Sequence, residues 1–238
     1  MDSSVHLLFF IAFAVLAIVA LVFGHLAAKR RREAMRAWAQ TRGHQFSQLK
    51  DRTLDNRFPA FGQLRKGDNR YGYNIVSGQI AAERDLLAFD YHYETHSTDS
   101  KGRRQTHHHH FSAVILETGL PMQHLFIRPE NFFDKVTEFF GVDDIDFESS
   151  EFSRKFHVKA SSKKWAFDVI HARTIEFLLG HPEFTLEFDT RHAIAYRGKR
   201  LAPQDLDQAI AAIQGILDRL PDYVVKQQCE MMTSTGAR

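Results

Sequence analysis

The run from Val5 to Ala28 contains no Asp, Glu, Lys or Arg, and Lys29-Arg30-Arg31-Arg32 follows it at once. As a helix it reaches about 36 Å at 1.5 Å per residue, enough to cross a bilayer core. Phe9, Phe10, Phe13, Leu16, Val19 and Phe23 cover all of its sides rather than one stripe, which argues against a core helix. A removable signal peptide carries its positive charge before a shorter apolar region, whereas the tail here is Met1-Asp2-Ser3-Ser4 and the basic cluster lies on the far side. The segment 5–28 therefore reads as a retained transmembrane helix. The positive-inside bias keeps Lys29 to Arg32 in the cytoplasm and the tail 1–4 outside. A lone cysteine, Cys229, fits a reducing compartment, since it cannot form an internal disulfide.

Of the 238 residues, those after the span suffice for one large domain or two small ones. The expected organisation is a basic juxtamembrane helix at 29–43, a cytoplasmic α+β domain at 44–225 with possible halves 44–142 and 143–225, and a flexible tail at 226–238. The net charge of +2 is uneven: from Lys29 to Arg70 there are 12 Lys or Arg against 4 Asp or Glu, so the remainder is net negative. Lys and Arg beside an anionic leaflet contribute about 1 kcal/mol each. Lys29, Arg30, Arg31, Arg32 and Arg36 are thus candidates for lipid headgroups, unless they serve only to fix topology. Nucleic-acid binding calls for basic residues interleaved with exposed aromatics on a known scaffold, and no such pattern is present.

Beyond the basic helix, whose stop is Gly43, the pattern is mostly strands. Gln45 to Leu49 reads as a short strand, Asp51 to Arg57 as polar loop, and Phe58 to Gly62 as a turn pinned by two aromatics. Arg70 to Val76 reads as a strand broken by Ser77-Gly78. Leu86 to His96 alternates, with Phe89, Tyr91 and Tyr93 on one face. Ser97 to Arg104 is a hairpin loop and His107 to Glu117 the returning strand. After a strand at Leu125 to Arg128, Pro129 opens an expected helix to Phe140. Phe156 to Ala160 and Trp165 to Ile170 read as a hairpin around Ser161 to Lys164. A short helix follows at Ala172 to Leu179, then a second hairpin from Phe184 to Phe188 and Ala193 to Tyr196. Pro203 opens the clearest helix, to Leu220, with Leu206, Ile210, Ile213 and Leu217 as its stripe. The fold class is α+β: a mainly antiparallel sheet with packed helices, possibly two similar halves.

Within residues 148–179, Glu151, Phe152, Ser153, Lys155, Phe156, Val158, Ala166, Ile170, Glu176 and Leu178 follow a pattern that resembles a family of bacterial membrane-associated proteins known only as a domain of unknown function. The family's turn is usually Ser-Asp where this chain has Ser162-Lys163. The resemblance implies a bacterial inner-membrane protein with a cytoplasmic domain. It implies no catalytic residues.

Six of the 14 histidines lie on one expected hairpin: His92, His96 and His107 to His110. Strand alternation puts Asp90, His92, Glu94 and His96 on one face, and either His108 and His110 or His107 and His109 face the same way across the ladder. Opposed side chains lie about 5 Å apart, so His92, Glu94, His96, His108 and His110 are candidate ligands for zinc or another divalent ion. The alternative is a ribbon that is polar because water wets it. The acidic run Asp143, Asp144, Asp146, Glu148 lacks the spacing of a calcium loop. No phosphate-cradling Gly loop, nucleophile elbow or CxxC occurs. The chain therefore reads as a non-enzymatic membrane protein, without cofactor, that binds a protein partner or lipid headgroups. The alternative is a metal-binding sensor or hydrolase built on the His-rich hairpin.

Overall fold

The computed structural model describes residues 3–80, 84–130 and 145–235. A helix, α1 (Ser3–Gln40), runs without a break from the apolar segment into the body of the protein. Eight strands form one antiparallel sheet: β1 (Gln45–Ser47), β2 (Asp68–Ile80), β3 (Arg84–Thr98), β4 (Arg104–Glu117), β5 (Leu125–Pro129), β6 (Phe156–Ala160), β7 (Thr185–Phe188) and β8 (His192–Arg197). Their order across the sheet is β1-β2-β3-β4-β8-β7-β5-β6. Strand β5 pairs with β6 and β7, while β4 meets β8, so strands from early and late in the chain share one ladder.

Helices α3 (Ser150–Lys155), α4 (Lys163–Val169), α5 (Ala172–Leu179) and α6 (Pro203–Leu217), together with the C-terminal end of α1, build the larger core against one face of the sheet. The smaller core lies on the other face, where Leu54, Phe58, Phe61 and Leu64 cover Phe89, Tyr91, Tyr93, Phe111 and Tyr196. That cover contains a short helix, α2 (Leu54–Arg57), where a loop was expected. Leu54 is buried there, and Arg70 Nε donates to the Asp55 carboxylate at 2.9 Å.

Four expectations change for physical reasons. Ser77-Gly78 does not break β2. Gly78 lacks a side chain because the His44 ring occupies the space a Cβ would need. The segment Trp165 to Ile170 is helix, not strand. Ser162 Oγ caps it by accepting from Trp165 N at 3.2 Å, and Trp165, Ala166, Val169 and Ile170 bury one helical face. The polar end of the chain is also helix, α7 (Asp222–Thr235), held through the buried Val224 and Gln228 one turn apart. The clearest helix ends at Leu217, three residues before the expected stop. The helix expected at Pro129 to Phe140, with Asp143 and Asp144 beyond it, falls outside the described residues apart from its first two positions; Pro129 itself ends β5.

The family-like pattern of residues 148–179 is a packing pattern. Phe152, Phe156, Val158, Ala166, Ile170 and Leu178 are all buried in the larger core.

Candidate functional site

Two polar sites lie on the α1 side of the β3–β4 hairpin. Both depend on left-handed asparagines in β2. The pairing of β2 with β3 slips between Asp68 and Tyr71 and again between Tyr73 and Val76. Each slip holds an Asn with positive φ, Asn69 at 47° and Asn74 at 49°. Asn tolerates this conformation better than most residues. Each irregularity turns an amide toward a carboxylate of β3: Asn74 Nδ2 donates to Asp90 at 2.9 Å and Asn69 Nδ2 to Glu94 at 2.6 Å.

The first site joins α1 to the sheet. Arg31 sends Nε to Asp90 Oδ2 at 3.0 Å and Nη2 to Asp90 Oδ1 at 2.7 Å. Its Nη1 donates to the Leu201 carbonyl at 2.6 Å, and Ser112 Oγ donates to Asp90 Oδ1 at 2.6 Å. The Asp90 side chain is 0% exposed and that of Arg31 14%. Arg31 is therefore turned into the domain and is not free for a lipid headgroup. Its guanidinium turns inward because Met35, Trp38 and Ala39, further along the same helix, are buried as well. Lys29 and Arg30 remain exposed, Arg32 is half-buried, and Arg36 lies 5.3 Å over the Phe46 ring.

The second site lies further along β3. In the β3–β4 register His92 faces His110 and Glu94 faces His108. His92 Nε2 stands 3.2 Å from His108 Nδ1 and 3.8 Å from Glu94 Oε1, and His108 Nδ1 stands 3.4 Å from that oxygen. The three ligand atoms all lie within 4.8 Å of one another. His92 Nδ1 donates to the Asn69 carbonyl at 3.1 Å, which leaves its Nε2 as a lone-pair donor. The Tyr71 ring stacks on His92 at 4.6 Å. Arg52 Nη1 donates to Asn69 Oδ1 at 3.0 Å and so fixes which end of that amide meets Glu94. The Asn69 amide, helped by the facing imidazoles, holds the Glu94 carboxyl below its ordinary range.

The remaining candidate ligands point elsewhere. His110 Nδ1 meets the Tyr73 hydroxyl at 3.2 Å. Loss of surrounding water, and then the charge of Arg200, pull His110 down to about 4, so its ring is neutral. His96 pairs with Thr106 at 3.1 Å and lies 3.6 Å from Asp68. His109 lies on the opposite face, stacked on Tyr93 at 4.6 Å. Sequence reasoning found the face and the ligand types. It missed Asn69, Asn74 and Arg52; the local signal for the first two is Asn within a strand, where that residue is depleted.

The direction of α1 relates the two sites. His44 packs at Gly78, Arg36 at Phe46 opposite Val76, and Arg31 at Asp90, the partner of Asn74. Each step toward the N-terminus of α1 thus moves down β2 toward Tyr71 and up β3 toward His92 and Glu94. The apolar span continues α1 on the N-terminal side of Arg31. That span is exposed on all sides, and α1 is the single helix, among the described residues, long and apolar enough to cross a membrane.

A scan against protein-family models finds no match, and a search of curated proteins finds none either. Among solved structures, the chain is similar to the crystal structure of the mycobacterial trehalose monomycolate transport factor A, TtfA. The TM-score is 0.59 at 12% identity, over 79% of this chain and 92% of that one. At that identity the likeness establishes a shared fold.

Proposed function

We propose that this chain is a single-pass protein of a bacterial inner membrane, whose cytoplasmic α+β domain is a non-enzymatic binding module held rigidly beneath the bilayer. The observation that carries the reading is the continuity of α1: one helix passes from an apolar span exposed on all sides to a basic turn whose Arg31 is fixed to the buried Asp90. No flexible linker separates anchor from domain, so whatever binds the domain binds it close to the membrane. Lys29, Arg30 and Arg32 then face the headgroups of an anionic leaflet. A similar fold in a protein named a transport factor, and the family resemblance of residues 148–179, support a membrane-linked binding role.

The exposed Cys229 is the chain's single cysteine and serves as a built-in topology reporter. With the full chain in a bacterial inner membrane, an impermeant maleimide is expected to label Cys229 only after the membrane is opened, and carbonate washing is expected to leave the protein in the pellet. Labelling in intact spheroplasts, or release by carbonate, overturns the placement.

A further inference from the structure

We propose that His92 Nε2, His108 Nδ1 and Glu94 Oε1 form a three-ligand site for a divalent transition-metal ion, zinc before others, with the fourth position open. This goes beyond the binding role and does not depend on membrane placement. The spacing of the three atoms suits zinc. Ligand atoms about 2.0–2.1 Å from a tetrahedral zinc stand about 3.3 Å from one another. The three separations here are 3.2, 3.4 and 3.8 Å. One face of an octahedral site with similar bond lengths has edges of about 3.0 Å, which fits less well, so the set favours zinc over an iron facial triad. Two imidazoles also disfavour calcium and magnesium, which take oxygen ligands.

The supporting contacts also suit a metal site. Metal-binding imidazoles usually donate their other N–H to a carbonyl or carboxylate, which fixes tautomer and ring orientation. His92 does this through Asn69 O. The Asn69 amide orients Glu94, and Arg52 orients that amide. A wetted ribbon has no need of a left-handed asparagine that serves two candidate ligands at once. The ligands are also graded in exposure. The His92 side chain is 4% exposed, Glu94 16% and His108 59%. Two ligands are therefore held in place, and the third closes from the open side. Bound there, the ion ties β3 to β4 and, through Asn69, to β2, and it leaves its fourth position facing outward.

The test uses the full chain in detergent micelles, stripped with chelator and titrated with zinc against a chromophoric competitor. One zinc per chain is expected. His108→Ala changes an exposed side chain, so the fold is kept and binding falls by about 100-fold or more. Asn69→Gly keeps the left-handed backbone and weakens binding by roughly 10- to 100-fold. His109→Ala, on the other face, leaves the affinity unchanged. Cobalt in place of zinc gives the intense visible bands of a four-coordinate ion. Binding well below one ion per chain, equal losses in the His108 and His109 variants, or a weak octahedral cobalt spectrum each overturn the proposal. None of these results touches the topology reported by Cys229.

Discussion

Arg31 and Asp90 stand 59 residues apart in the chain and meet in a two-pronged hydrogen bond at 2.7 and 3.0 Å, with the carboxylate out of contact with solvent. The pair holds α1 onto the sheet. Removing the guanidinium leaves a buried carboxylate with Ser112 and Asn74 as its neutral donors. Breaking a buried pair in this way costs about 3–5 kcal/mol. Arg31→Ala is therefore expected to lower stability by that amount in denaturant unfolding of the full chain in mild detergent. Arg31→Lys recovers only part, because an ammonium cannot reproduce the planar fork. A loss below about 1 kcal/mol means that the pair behaves as a solvated surface bridge.

Asn74 has two roles at that junction: its amide serves Asp90, and its backbone is left-handed at the β2 slip. Asn74→Gly removes the first and preserves the second. Asn74→Ala removes the first and adds strain of about 1–3 kcal/mol. The alanine variant is expected to melt below the glycine variant, contrary to the usual preference for alanine in a strand. Melting curves of the two variants side by side decide it; equal curves mean that the slip relaxes.

Much of this was legible in the sequence. Alternation placed Phe89, Tyr91 and Tyr93 on one face and Asp90, His92 and Glu94 on the other, because period two leaves little freedom once one face is buried. The inward turn of Arg31 was harder to see, since four consecutive basic residues signal topology equally. Its trace lies in spacing: Arg31 precedes Met35 by four residues and Trp38 by seven, so all three share the buried helix face. The segment Trp165 to Ile170 misled through its aromatic and β-branched residues, although Ser162 was the N-cap signal against a strand. The slips at Asn69 and Asn74 have no period to betray them, so the supporting contacts of the second site were not legible.

Glu187 sits on β7 with Oε2 unpartnered, and burial, with Asp189 nearby, pushes its carboxyl up to about 8. In the unfolded chain the same group titrates near 4.5. Between these two values the unfolded state releases a proton that the folded state keeps. Stability from this group is therefore full below about 4.5, falls as pH rises by up to about 1.4 kcal/mol per unit, and stops falling above about 8. Glu187→Gln removes that slope. The wild-type melting temperature is expected to drop between pH 5 and pH 8 by more than that of the variant, and parallel curves rule the effect out.

The last prediction concerns where the domain begins. Met35, Trp38 and Ala39 belong to the larger core, Trp38 Nε1 donates to Asp207 at 3.1 Å, and Arg42 pairs with the same carboxylate. Residues 29–43 are thus part of the folded body rather than a detachable basic segment. A chain starting at Lys29 keeps these groups and loses only the apolar span, so it is expected to be soluble and to melt cooperatively. A chain starting at His44 loses three buried side chains and the partner of Asp90. At about 2–5 kcal/mol for each of the two large side chains and about 3–5 kcal/mol for the broken pair, that loss is comparable to the whole stability of a typical domain. It is expected to aggregate or to lack a cooperative transition, as size-exclusion chromatography and a thermal melt of the two chains will show. A stable, cooperative domain from His44 onward means that α1 lies on the body without supporting it.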